Sequence, residues 1–335
     1  MKKNKKKSGY SGIGGQAVLE GIMMKNQDKY AVAVRKPSGD IAVELGNFRG
    51  TWDDKRVEKI PFVRGVFSFI DSLVLGMKSL NYSASFYEDE DEGEEETGLD
   101  RFLNKISGGH AEGILSGITM VISIVLALGL FIVLPYFITS FFEGYIRNQS
   151  LISIIEGLLR IFIFVIYILL ISLLKDIRRL FQYHGAEHKC INCIEKGRPL
   201  TVHNVMRSSR FHKRCGTSFI FFVLLVSIVL FFFIRVDSLL LKVVLRILLM
   251  PVVAGISYEF IRLAGRHDNF LVRIISAPGL WIQRITTKEP DEQMAEVAIK
   301  AVEAVFDWKK YLYDEFGYEI TDEWLEAENA EGTDK

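Results

Sequence analysis

The sequence predicts an α-helical polytopic membrane protein with about four transmembrane helices. A small cytoplasmic N-terminal region containing a β-hairpin precedes them, and a cytoplasmic helix follows. Three observations lead there. Of 335 residues, 49% are hydrophobic and 12% aromatic, and the mean hydropathy is positive. These residues are gathered into four long runs between Gly113 and Tyr258, which excludes an ordinary soluble globular chain. The net charge of zero hides an asymmetry. Glu88–Glu96 holds eight acids, Glu289–Lys335 holds fifteen against four bases, and the rest of the chain carries 37 bases against 18 acids.

Residues 1–87 read as a cytoplasmic region. No apolar core follows the opening lysines, so no cleaved signal peptide is expected. Tyr30-Ala-Val-Ala-Val-Arg and Ile41-Ala-Val-Glu alternate like strands, and the turn between them falls at Pro37–Asp40. Gly12-Ile-Gly-Gly15 resembles a phosphate loop only superficially. Position 17 is Ala and no strand-then-helix context surrounds it, so a turn or close backbone approach is expected. Ile60–Leu80 is apolar but carries Arg64, Asp71 and Lys78, the pattern of an interfacial or docked helix. Residues 88–100 form an acidic linker whose charges repel one another.

Residues 101–288 make up the membrane domain. A span needs about 20 apolar residues to cross about 30 Å of hydrocarbon. Residues 113–142 and 216–234 pass without a charge, and Pro135 is placed to kink the first. Residues 151–174 contain Glu156 and Arg160 one turn apart, where each offsets the other near an interface or inside the bundle. Residues 239–258 are the weakest, with Lys242 and Arg246 in the first half. The loop 175–215 carries ten Lys or Arg, whereas 143–150 and 235–238 carry one each; the excess places both termini and the central loop in the cytoplasm of a bacterial inner membrane. That compartment is reducing, in keeping with three cysteines that cannot all pair. Phe270–Ile285 mixes apolar residues with Arg273 and Arg284, is broken by Pro278-Gly279, and reads as lying on the inner headgroup surface. Residues 289–335 give an amphipathic helix over Met294–Tyr313 and an acidic tail.

Chemistry concentrates after the second span. Four of six histidines fall between His184 and His212, and all three cysteines between Cys190 and Cys215. His184-Gly-Ala-Glu187-His188 is an H-x-x-E-H pattern, the inverse order of the zinc metalloprotease motif. On a helix the two imidazoles share one face, spaced for one Zn²⁺, and Glu187 flanks them as general base toward a polarised water. A third ligand would come from Glu259, His212, Cys215 or Glu195. A second pattern overlaps it: Cys190-x2-Cys193, then His212-x2-Cys215, has the spacing of a structural zinc knuckle. Surface His and Cys in a basic loop, with no metal at all, are the third reading.

Several motifs together resemble the YqhQ-like family of bacterial membrane proteins (domain of unknown function 1385), described as predicted metal-dependent enzymes. They are Gly14-Gly-Gln-Ala-Val-Leu-Glu-Gly21 with Met23-Met24, Pro61-Phe-Val-Arg-Gly65, His184-Gly-Ala-Glu-His-Lys189, Arg214-Cys-Gly-Thr-Ser-Phe219, Tyr258-Glu259, Ala277-Pro-Gly-Leu-Trp281 and Glu289-Pro-Asp. The resemblance runs from about Gly12 to Ala304 and implies a polytopic inner-membrane protein. It places His184, Glu187, His188, His212, Cys215, Glu20, Glu259, Lys189 and Arg214 in shared motifs. Lys213 departs from the family's His-Pro-Arg-Cys and removes a rigid turn beside His212, while Cys190 and Cys193 lie outside the signature.

Two functions remain open on these grounds. One is a zinc-dependent hydrolase acting on a lipid headgroup or membrane-proximal peptide. The other is a non-catalytic scaffold or accessory factor in membrane-protein biogenesis or lipid handling, with at most a structural metal. Its basic cytoplasmic loops would meet anionic lipid or a membrane-protein partner, and no specific nucleic acid is expected. A transporter ranks last, because few ionisable residues fall at mid-span.

Overall fold

The computed structural model describes residues 9–50, 60–87, 111–142, 144–146, 148–234, 236, 238–266, 270–318 and 320–321. The acidic linker and the last fourteen residues, 322–335, lie outside the described residues. The chain divides into two compact units, one of residues 1–87, 168–222 and 254–335, the other of 88–167 and 223–253.

The first unit is built on a four-stranded antiparallel sheet in the order β1 (Gly14–Val18), β2 (Gly21–Asn26), β3 (Lys29–Arg35) and β4 (Ile41–Asn47). The expected hairpin is β3–β4, closed between Arg35 and Ile41, with Gly39 at φ +92° in the turn. Strands β1 and β2 were not expected. Ile22, Met23 and Met24 are all buried, so β2 shows no polar alternation to betray it. β3 is likewise covered on both faces. Tyr30, Val32 and Val34 join Val18, Met23 and Leu75 of helix α1 (Val63–Ala84), and Lys78 of α1 donates to Tyr30 Oη at 2.6 Å. The segment expected to be interfacial or docked therefore docks on the sheet. Ala31 and Ala33 alternate onto the other face, where their small size admits α10 (Glu292–Val305) and α5 (Lys175–Glu195).

Residues 175–195, expected within a loop, are thus a 21-residue helix that starts after Leu174 turns extended. A one-turn helix, α6 (Val202–Met206), follows it. Residues 270–286 form α9 (Phe270–Thr286) without the expected break; Pro278 lies inside it, and Gly279 packs so tightly on Ser218 that a Cβ would fall 2.7 Å from the hydroxyl. The C-terminal amphipathic segment makes two helices rather than one. Asp291 caps α10 and Asp307 caps α11 (Trp308–Phe316), each side chain accepting a backbone N–H three residues on.

The second unit holds α2 (Ala111–Leu128), which passes through a π-helical turn (Gly129–Val133) into α3 (Leu134–Ser140), together with most of α4 (Gln149–Ile171) and parts of α7 (Gly216–Phe232) and α8 (Leu239–Arg266). Three stretches among the described residues are long and apolar enough to cross a membrane: Val121–Ser140, Gln149–Ile171 and Leu240–Ala264. The run expected to be weakest, at 239–258, lies in a 28-residue helix, and the charge-free run at 216–234 gives only the 17 residues of α7. At 1.5 Å per residue α7 extends about 26 Å, shorter than the other three. Leucine, valine and isoleucine side chains on the long helices, such as Val125 and Leu126, face outward, as a hydrocarbon solvent requires.

Candidate metal centre

Helix α5 presents His184 and His188 one turn apart, their ring centroids 4.4 Å from each other. Cys215, immediately before α7, comes to the same place: His184 Nε2 and Cys215 Sγ are 3.1 Å apart. One ligand atom from each of His184, His188 and Cys215 lies within 4.8 Å of the others. Both rings are held from behind. His184 Nδ1 is 2.9 Å from the carbonyl oxygen of Thr286, at the end of α9, and His188 Nδ1 is 2.6 Å from that of Arg210. A carbonyl can only accept, so each Nδ1 carries a proton and Nε2 is the ring nitrogen left to face inward. Protein metal ligands are oriented in this way.

The electrostatics of the centre depend on its own members. Burial opposes ionisation of the Cys215 thiol, but the two imidazoles outweigh it and hold the thiol well below its ordinary value. Burial also opposes charge on His184, and here the Cys215 thiolate prevails, raising the imidazole to about 9. A preformed thiolate is the form that binds a soft or borderline cation. Thr217 supports it, with its N–H 3.4 Å and its hydroxyl 3.2 Å from the sulfur. Glu187 is buried on the same helix beside both imidazoles. Desolvation raises its carboxyl, while the imidazoles and the donated backbone N–H of Gly15 on β1 pull the other way. An acid held above its usual range next to a cation site suits proton transfer.

Two expected ligands stand elsewhere. Glu259 accepts from Nε and Nη2 of Arg64 and from the Phe62 N–H, so it is engaged away from the histidines. His212 lies beside His188, with ring centroids 5.6 Å apart, but turns its Nε2 to Glu195 at 3.6 Å. Its backbone is locked by Gln283, which accepts from His212 N and donates to His212 O. Glu195 is saturated by Arg214 and by the N–H and hydroxyl of Ser11. Burial would raise Glu195, yet His212 and Arg214 bring its carboxyl down to about 2.

The knuckle pattern does not assemble. Cys190 and Cys193 are buried in the apolar core with Ile191, Ile194 and Met294. Cys193 Sγ lies 3.3 Å from the Pro199 carbonyl, and burial pushes the Cys190 thiol well up. None of the three cysteines forms a disulfide. The remaining motif residues shape the surroundings. Lys189 donates to the carbonyls of Met206 and Ser208 and pairs with Glu289. Arg214 stacks 4.2 Å over Tyr10, and Glu20 pairs with Arg179 and accepts from Tyr183 Oη. Gly185 sits against the Lys288 carbonyl with no room for a side chain. Sequence reasoning missed Thr286 and Arg210, because they act through main-chain carbonyls that spacing does not reveal, and it missed Gln283 inside an otherwise apolar helix.

The profile of the family described as "Protein of unknown function (DUF1385)" matches residues 60–308. The chain belongs to that family. The uncharacterized protein YqhQ of Bacillus subtilis (strain 168) is 37% identical over 289 residues, covering 86% of this chain and 90% of that protein. No solved structure matches the chain. The DUF1385 match spans the whole His184–Cys215 centre together with α1 and the apolar helices.

Proposed function

We propose that His184, His188 and Cys215 hold a zinc ion at the cytoplasmic face of a bacterial inner membrane, in a hydrolase acting on a lipid headgroup or a membrane-proximal peptide. One observation carries this reading: both imidazoles spend Nδ1–H on a main-chain carbonyl, so their two Nε2 atoms and the Cys215 sulfur converge on one point, where a metal would take the place of any proton they share. Two nitrogens and a sulfur suit zinc, and three protein donors, the number found among the described residues, are the set of a catalytic site with a position left for substrate. Zinc bound there would supply Lewis-acid polarisation of water and of the scissile carbonyl or phosphoryl oxygen. Glu187 would take a proton from the attacking water and return it to the leaving group. The Gly15 N–H would hold the Glu187 carboxylate in place, and Thr286 and Arg210 would hold the rings.

Proximity to the bilayer is supported by chain order: His184 follows the end of α4 by thirteen residues, and Cys215 directly precedes α7. With α7 counted as the shortest of four spans, the cationic segment 175–215 and both termini share the cytoplasmic side. A second reading, a scaffold with a purely structural metal, draws on the burial of His188 and Cys215, at 1% and 5% exposure.

Metal content of the detergent-purified protein, with hydrolysis screened on lipid and peptide substrates, separates the two. Hydrolysis supports the catalytic reading if Glu187→Gln abolishes it while keeping the metal. Metal binding with no Glu187-dependent reaction favours the scaffold. No metal in the wild type, even after reconstitution, sinks both as far as they involve zinc.

A further inference from the structure

We propose that the second unit contains a binding site for the phosphate of a membrane-lipid headgroup, centred on Arg246. The argument starts at Pro135. Proline has no N–H, so the carbonyl of Phe131, four residues earlier, loses its helical donor, and the helix widens there into the π turn at Gly129–Val133. Arg160 of α4 fills the gap, with Nε donating to Phe131 O at 2.9 Å. Its other arms donate to Ser227 Oγ at 3.2 Å and Glu156 Oε1 at 3.0 Å. Arg160 thus has an acceptor on each arm and a counter-charge in Glu156. That pair is complete without further help.

Arg246 is the surplus. It is 4% exposed, on a helix long and apolar enough to span a membrane, and it meets both oxygens of the Glu156 carboxylate that also balances Arg160, with Nη1 beside Oε1 and Nη2 donating to Oε2 at 2.9 Å. Both guanidiniums lie over the Phe231 ring, at 5.3 and 5.2 Å, which spreads their charge but does not cancel it. The Nε of Arg246 is buried with no acceptor among the described residues. Two guanidiniums against one carboxylate leave a net positive charge in an apolar bundle, a condition that calls for another anion. One turn earlier, half-buried Lys242 sits 4.4 Å over Tyr136, so cations line one side of α8 from its first turn to Arg246.

An anion with several acceptor oxygens would balance that charge and give the Arg246 Nε its acceptor. The opposite side of α8 exposes Leu240, Val244 and Leu248, a surface for acyl chains. A lipid brings its phosphate to that depth without the cost of dehydrating a free ion, and the exposed apolar residues of α8 mark it as a helix that borders acyl chains. We therefore assign the occupant as a phospholipid headgroup.

The test uses the full-length protein purified in detergent, with its thermal midpoint followed on addition of dioctanoyl phosphatidylglycerol, dioctanoylglycerol or inorganic phosphate. Phosphatidylglycerol should raise the midpoint saturably, while the phosphate-free diglyceride and inorganic phosphate at equal concentration should not. Arg246→Leu leaves the Arg160–Glu156 pair balanced and should raise the half-saturating lipid concentration about tenfold or more. Arg246→Lys retains the charge but lacks the Nε–H, and should bind with an intermediate half-saturation if the leucine protein does not fold. A wild type without a saturable shift overturns the proposal. So does equal protection by inorganic phosphate, or an Arg246 variant that responds to the lipid as the wild type does.

Discussion

Replacing Cys215 by serine removes one of the three converging donors while changing the volume of the site very little. Two imidazoles face the thiol and hold it well below its ordinary value, against the opposing effect of burial. The same imidazoles cannot ionise a serine hydroxyl, whose intrinsic acidity is many orders lower. Structural zinc sites with four donors bind with about 10–16 kcal/mol, or about 3 kcal/mol per donor, so the substitution should weaken zinc about 150-fold. Competition against a chromophoric chelator in detergent would measure this directly, alongside zinc content by mass spectrometry. Cys190→Ser and Cys193→Ser are the controls. Both sulfurs lie in the apolar core, so a hydroxyl there should lower stability by about 1–3 kcal/mol and leave zinc affinity unchanged. Wild-type affinity in Cys215→Ser, or an equal loss in the Cys190 or Cys193 protein, would refute the three-donor assignment.

Three other predictions concern the scaffold of the centre. Glu195, brought from 4.5 to about 2, contributes about 3 kcal/mol that is fully present above pH 4.5 and lost as pH falls toward 2; Glu195→Gln should therefore lower the thermal midpoint at pH 7, with a gap that narrows below pH 4.5. Gly185→Ala should cost about 1–3 kcal/mol in a thermal melt, because its Cβ would run into the Lys288 carbonyl, and main chain cannot move aside as a side-chain end can. Leu75→Ala should cost about 2–5 kcal/mol by the same assay, since Leu75 is the α1 residue that fills the space over Val32 and Val34; an unchanged midpoint would mean that α1 does not dock on the sheet.

The parts of the fold legible in the sequence are those marked by a turn signal or by a long unbroken apolar run. The β3–β4 turn has Pro37 and Gly39, and the long apolar runs allow little but membrane helices. Buried elements without such a signal were harder to read. β2 shows no alternation, and α5 mixes Lys189, Glu187 and Glu195 with cysteines, so composition disguised a core helix as a basic loop. Its charges are tolerable in the interior because each meets a specific partner supplied by distant chain. At the centre, the H-x-x-E-H spacing correctly set two imidazoles on one face. The choice of Cys215 over Glu259 and His212 was not accessible from spacing. It depends on Arg64 claiming Glu259, and on Glu195 claiming His212. Arg246 shows the same limit inside the apolar helices, where sequence paired Glu156 with Arg160 but could not reveal the second guanidinium on that carboxylate.

Read as packing, each position of the His184-Gly-Ala-Glu-His188 stretch has its own reason. The two histidines occupy the face turned to Cys215. Gly185 clears the Lys288 carbonyl, which lets the end of α9 approach closely enough for Thr286 to hold the His184 ring. Ala186 is fully buried among Ile13, Met24 and Met294, where a larger side chain would push α5 off the sheet. Glu187 meets β1 at Gly15, whose missing side chain leaves room for the carboxylate stem and whose N–H points at it; a Cβ there would come within 3.1 Å of Glu187 Cγ. The sheet is thus part of the centre. It positions Glu187, whereas α5, α9 and the residue before α7 position the two imidazoles and the thiol, and a chain carrying the five-residue motif without a glycine-bearing strand beside it would have the imidazoles but no carboxylate held next to them.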